Sequence, residues 1–167
     1  GRFEPWAAVD LIEEYQVRNT LLVPAALKRM MESVPLPRER YDVTMRSMMS
    51  AGEAVGTTVF AWAQDALGVT INEMFGQTET NYIVGNSHAL WPAKPGSMGR
   101  PYTGHRIAVL DEGGNPALTG EIGDVAVHRG AADAAVDAVF FPRDSENPDA
   151  SAKKLNSTCY APSDMAH

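Results

Sequence analysis

Met45-Arg46-Ser47-Met48-Met49-Ser50-Ala51-Gly52-Glu53 and Val69-Thr70-Ile71-Asn72-Glu73-Met74-Phe75-Gly76-Gln77-Thr78-Glu79 are the stretches that decide the fold. Each opens as an extended run and breaks at a glycine, Gly52 in one and Gly76 in the other. Between them Phe60, Ala63 and Leu67 recur at helical spacing, and Gly68 stands where a helix would stop. Upstream, residues 20–23 form another β-prone run, ended by Pro24. Leu27, Met30, Met31 and Val34 then fall at i, i+3, i+4 and i+7, one apolar helix face closed by Pro35 and Pro37. Pro5 suits a first helical turn, with Trp6, Val9 and Ile12 recurring on one side after it. Strands separated by helices predict βαβ units and a parallel sheet, so the fold class is α/β.

Past Pro95 the pattern changes. Residues 105–110 and 122–128 alternate as strands do, and Asp111-Glu112-Gly113-Gly114-Asn115 between them is turn chemistry. This predicts an antiparallel, β-barrel-like subdomain. The expected organisation is an α/β subdomain over residues 1–94, part of a β-barrel over 95–130, and a divergent, weakly ordered tail over 131–167.

Composition narrows the function. The formal net charge of -7 argues against general nucleic-acid affinity, which needs clustered Lys and Arg. An anion such as ATP can still bind through local backbone amides and a metal ion. Cys159 is the single cysteine, so neither an internal disulfide nor a Cys-rich zinc site is available. That fits a reducing, cytoplasmic setting. No apolar run reaches membrane-spanning length, and the first residues carry no signal-peptide pattern. Gly1 does not resemble a natural start, and the chain is expected to be a piece of something longer. His88, His105, His128 and His167 are scattered without metal-ligand spacing. Met30, Met31, Met48, Met49 and Met74 read as core filler, and Trp6 and Trp62 as packing residues.

Parallel strands ending near Val23, Ser50 and Phe75 would send three loops out on one rim of the sheet, the edge where open α/β sheets bind ligands. The ingredients there suit a nucleotide: an aromatic ring to stack on a base, glycines for close backbone approach, a Thr for phosphate and a Glu for magnesium. Spacing alone favours ordinary βα turns, with Phe75 in the core and Glu79 solvated.

Phe75-Gly76-Gln77-Thr78-Glu79-Thr80 resembles the Tyr/Phe-Gly-x-Thr-Glu motif of the adenylate-forming enzymes, which include acyl-CoA synthetases, luciferases and peptide-synthetase adenylation domains. Ser50-Ala51-Gly52-Glu53-Ala54 resembles that family's adenine loop, at the usual distance upstream. Gly96-Ser97-Met98-Gly99-Arg100-Pro101 and Gly120-Glu121-Ile122-Gly123-Asp124-Val125 resemble its later segments, and residues 72–99 are most similar to medium-chain acyl-CoA synthetases. The resemblance implies an ATP-dependent ligase that adenylates a carboxylic acid and passes the acyl group to CoA. It implies Phe75 stacked on adenine, with Gly52, Glu53 and Ala54 framing the base edge. Gly76 and Gln77 would lie beside the acyl group, Thr78 on the α-phosphate and Glu79 on Mg2+.

The family's Ser/Thr/Gly-rich phosphate loop ending in Lys has no counterpart upstream of the adenine loop, and Gly56-Thr57-Thr58 reads as a helix start. Lys153 and Lys154 read as surface, not as the lysine of the family's C-terminal domain. Asp164 stands where the ribose-binding Asp is expected, with the family's preceding Thr and Gly replaced. The expectation is a synthetase fragment, inactive alone and self-associating through uncovered surfaces. The alternative is a non-catalytic nucleotide-binding or scaffold module that keeps the fold.

Overall fold

A computed structural model describes residues 2–77, 80–128, 159–160 and 165–166. By its internal contacts the chain divides into two units, Gly1–Gly76 with Val84–Arg100, and Gln77–Ile83 with Pro101–His167.

The first unit is built on βαβ logic. Helix α1 (Pro5–Glu14) begins on its proline and buries Pro5, Val9 and Ile12. Strand β1 (Asn19–Leu21) follows, then α2 (Pro24–Ser33), again opened by a proline and burying Leu27 and Met30. Strand β2 (Ser47–Ser50) leads to α3 (Thr57–Trp62), which loosens into a π turn over Ala63–Leu67. Gly68 ends that turn in the left-handed conformation, and its N–H closes on the Ala63 carbonyl. Strand β3 (Ile71–Gln77) then runs beside β2.

Strands β1, β2 and β3 are parallel, with Thr20 opposite Met48, Met48 opposite Ile71 and Ser50 opposite Glu73. Strands β4 (Asn81–Gly85) and β5 (Arg100–Pro101) extend this sheet in the order β1-β2-β3-β4-β5. Met48 and Ile71 lie in one core cluster with Val9, Ile12, Leu27, Met30, Val59, Phe60 and Leu67, so the three helices cover the same face of the sheet. The other face follows from the two-residue period of a strand. Leu21 and its register partner Met49 point there and are exposed.

In the second unit β6 (Ile107–Leu110) and β7 (Gly123–His128) pair antiparallel, Ile107 opposite Val127 and Leu110 opposite Asp124. Val125, Ala126 and Val127 are buried. The turn between the strands is fixed by Asp111, whose Oδ1 accepts the Asn115 N–H at 2.8 Å and whose carbonyl accepts the Gly114 N–H at 2.9 Å. Two short strands, β8 (Cys159–Tyr160) and β9 (Met165–Ala166), also pair antiparallel with β7. The rest of the segment expected to be a weakly ordered tail lies outside the described residues, as do Lys153 and Lys154.

The structure departs from the sequence reading at several points. Strand β3 does not break at Gly76 but continues to Gln77, and β4 was not anticipated. Trp6, expected to pack, is 42% exposed, with the Arg40 guanidinium 5.1 Å from its ring centroid. The buried stripe of α1 is carried by Pro5, Val9 and Ile12, which leaves Trp6 at its margin. Met49 is likewise exposed, because strand parity turns it away from the helices, while Met30, Met48 and Met74 are buried. Trp62 does pack against the core, and its Nε1–H donates to the Pro35 carbonyl at 2.8 Å. Among the described residues no helix is long and apolar enough to cross a membrane.

Candidate functional site

The carboxyl ends of β1 and β2 are tied together by hydrogen bonds that extend the ladder. The Leu22 N–H donates to the Met49 carbonyl at 3.1 Å, and Ser50 Oγ donates back to the Leu22 carbonyl at 2.8 Å. Ser50 is fully buried, so its hydroxyl needs that acceptor. The chain then leaves β2 through Ala51 into the segment 52–56.

Gly52 and Gly56 both have positive φ, 99° and 80°, which a side chain would strain. Between them Gly52, Glu53 and Ala54 are exposed, whereas Val55 is buried and belongs to the core cluster. The segment is therefore a short arch with glycine joints at its ends. Its far foot is planted by the Val55 side chain.

A second tie was not read from the sequence. The Val55 N–H donates to Oε1 of Glu73 at 3.0 Å. Glu73 sits in the middle of β3 and is 7% exposed. Its other oxygen, Oε2, is buried without a hydrogen-bond partner. Burial pushes this carboxyl above the usual carboxylate range, and the bond from Val55, which favours the charged form, only partly opposes that. The signal available in the sequence was a charged residue inside a short strand, between Ile71 two positions before it and Met74 just after it.

Phe75 lies two residues beyond Glu73 on the same strand and so shares its face. Phe75 and Gly76 are half-buried at the end of β3. Gln77, also half-buried, is the first residue of the second unit. The structure thus brings Gly52, Glu53 and Ala54 to the strand that carries Phe75 and Gly76. Thr78, Glu79 and Asp164 lie outside the described residues. Among the described residues no group of three or more His, Cys, Asp or Glu could hold a metal ion.

The next strand is laced to the same region. The Asn86 N–H donates to the Glu73 carbonyl at 2.8 Å, and Asn86 Nδ2 donates to the Ser97 carbonyl at 2.9 Å. Asn72, buried on the opposite face of β3, accepts the His88 backbone N–H at 2.8 Å on Oδ1, and its Nδ2 lies 3.2 Å from His88 Nδ1.

The chain matches the AMP-binding enzyme family over residues 2–132, and it belongs to that family. It is 33% identical over 129 residues to an acyl–CoA ligase of Bacillus subtilis strain 168, across 77% of this chain and 24% of the relative. An acetyl-coenzyme A synthetase of the same organism is 29% identical over 131 residues, across 78% of this chain and 23% of that protein. The chain thus spans about a quarter of the length of these relatives. A crystal structure of an acyl-CoA synthetase from Brucella canis superposes with a TM-score of 0.83 at 28% identity, covering 99% of this chain and 29% of that one.

Proposed function

We propose that this chain forms the adenine-side wall of an acyl-adenylating site in an AMP-forming acyl-CoA ligase. The observation that carries the reading is the exposed arch of Gly52, Glu53 and Ala54, tied through Val55 and Glu73 to the strand that bears Phe75. An exposed backbone edge beside a half-buried aromatic ring at the carboxyl end of a parallel sheet is the chemistry a purine needs: a π-face to stack on and peptide groups for its polar edge.

In this reading Phe75 stacks on adenine and the arch meets the base edge. Gly76 and Gln77 flank the acyl group, and Thr78 bonds the α-phosphate. Asp164 is the candidate for the ribose hydroxyls. Glu79 is the residue that would hold magnesium, in keeping with the usual arrangement of one or two carboxylates completed by phosphate oxygens and water. Bound there, the ion would supply charge stabilisation for the phosphate oxygens. Glu73 is not a second ligand in this reading, because its carboxyl is buried and turned to Val55. The acid's carboxylate attacks the α-phosphorus of ATP with loss of pyrophosphate, and the thiol of CoA then displaces AMP from the acyl carbon. Within these 167 residues no Ser/Thr/Gly-rich loop ending in Lys precedes the arch, so this stretch is expected to bind the adenylate without completing its synthesis.

Two further statements belong to the same proposal. The exposed pair Leu21 and Met49 supports self-association through a second copy of the chain. The single cysteine and the absence of a membrane-crossing helix among the described residues fit a cytoplasmic protein.

The test is calorimetric titration with a non-hydrolysable octanoyl-adenylate analogue. Saturable binding is expected, weakened in Phe75→Ala by about 1–3 kcal/mol, or roughly 5- to 150-fold, the range for loss of one base–aromatic stack. A folded sample that binds no analogue, or a Phe75→Ala variant that binds as tightly as the parent, refutes the reading and favours a scaffold that has kept only the fold.

A further inference from the structure

Glu73 lies at a crossing point of the first unit. Its Cα is in register with Ser50, whose hydroxyl is bonded to Leu22, and its carbonyl accepts the Asn86 N–H. The ends of β1 and β2 and the residue that follows β4 are therefore all referred to this one position. Its side chain turns to the arch, where Oε1 accepts the Val55 N–H. The arch has one other side-chain anchor, the buried Val55 at its far foot. It has positive-φ glycine joints at both ends, where a Cβ built on Gly52 or Gly56 would meet nothing within 4 Å, and the Gly56 carbonyl accepts the Phe60 N–H at 3.1 Å.

The chemistry of the position is costly. One carboxyl oxygen is bonded and the other is buried without a partner. A Leu at this position would fill the strand without stranding a polar atom, but it would leave the Val55 N–H, at the buried foot of the arch, without its acceptor.

We propose that Glu73 is a positioning residue for nucleotide binding: its carboxyl latches the arch through the Val55 amide and so fixes where Gly52, Glu53 and Ala54 meet a purine. The latch stands on the geometry alone, whereas its purpose rests on the adenylate reading above. Glu73 touches no reacting atom and acts through the arch.

The experiment pairs amide hydrogen exchange with AMP titration in the parent chain, Glu73→Gln and Glu73→Leu. Gln keeps an acceptor oxygen for the Val55 N–H, and Leu does not. The amide of Asn86 is the internal reference, because it bonds to the Glu73 backbone, which both substitutions leave in place. In Glu73→Leu the Val55 amide is expected to exchange about tenfold faster, the loss of one net hydrogen bond, with Asn86 unchanged. In Glu73→Gln both amides exchange as in the parent. AMP affinity follows the same split, falling by about tenfold in the Leu variant, as misplaced binding groups do, and holding in the Gln variant.

Unchanged exchange at Val55 in the Leu variant overturns the latch. Equal acceleration of Val55 and Asn86 also overturns it, since the side chain would then support the fold at large. Loss of AMP affinity in the Gln variant, with Val55 still protected, overturns the positioning role. A parent chain that binds no AMP refutes the adenylate reading instead, and the exchange data alone then decide the latch.

Discussion

Gly99 offers the sharpest test of how the first unit is assembled. A Cβ at this position would fall 2.2 Å from both the carbonyl carbon and the oxygen of Gly85, and 2.5 Å from the Asn86 nitrogen. All three are backbone atoms at the end of β4, so no flexible side chain can swing aside. The residue also has φ of +100°, a conformation that strains any side chain. Overpacking of this kind costs about 1–3 kcal/mol, and the sparsely populated backbone conformation adds about 1–3 kcal/mol. The reduced freedom of an unfolded alanine offsets only about 0.4–1 kcal/mol of that cost. Gly99→Ala is therefore expected to lose about 2–5 kcal/mol, against a typical domain stability of about 5–15 kcal/mol. At about 2–4 °C per kcal/mol for a chain of this size, the melting midpoint falls by roughly 4–20 °C.

Gly96 provides the control. It has φ of +75°, but an added Cβ would meet nothing within 4 Å. Gly96→Ala should show the conformational cost alone, about 1–3 kcal/mol. Urea unfolding of both variants, followed by circular dichroism, separates the two contributions. If Gly99→Ala and Gly96→Ala lose the same stability, the close approach of Gly99 to Gly85 is not a constraint and the reasoning fails.

Other predictions follow from the same coordinates. Glu73 has a raised pKa in the folded chain, so its neutral form is the one the fold favours. Its contribution to stability is full below the ordinary carboxylate pKa and is lost as pH rises through the higher folded value. Denaturation midpoints across that acid-to-neutral range should decline in the parent and stay flatter in Glu73→Gln, and parallel curves would contradict the assignment. Sedimentation of the parent chain should show a concentration-dependent dimer that weakens in a Leu21→Lys, Met49→Lys double variant, whereas a monodisperse parent monomer would contradict self-association through that strand face.

The elements that were legible in the sequence are those whose periodicity was local. Leu27, Met30 and Val34 announced a helix stripe, and they are buried. Gly68 announced a stop and adopts the left-handed conformation that ends the π turn after α3. The Asp111-to-Asn115 turn announced itself through residues that bond within five positions. The parallel pairing of β1, β2 and β3 was legible as a class, because helices between strands leave few other topologies. Strand β4 was not legible, although Tyr82-Ile83-Val84 is β-prone, because a run of three such residues is too short to show a period. The length of β3 was misread as well. Gly76 breaks a pattern on paper, yet the strand runs one residue past it to Gln77.

The candidate site divides along the same line. Gly52, Glu53, Ala54, Phe75 and Gly76 stand out as candidates because a motif is a run of neighbours, and runs are what a sequence displays. Glu73 was passed over because its role is defined by a residue 18 positions away. Asn72 and His88, 16 positions apart, escaped for the same reason. Such ties are invisible to periodicity, since each partner alone has an unremarkable explanation: a polar residue in a strand, an amide in a loop. What the sequence could have supplied is the question of cost. A carboxylate between Ile71 and Met74, in a strand already assigned to a buried parallel sheet, has to be satisfied by something. Asking what satisfies it leads to the adjacent strand end in register, Ser50, and to the first amide that the loop after it turns back toward the core. That amide is Val55. A buried carboxyl in a parallel strand is thus a pointer to the loop at the neighbouring strand's carboxyl end, which in this architecture is where ligands bind.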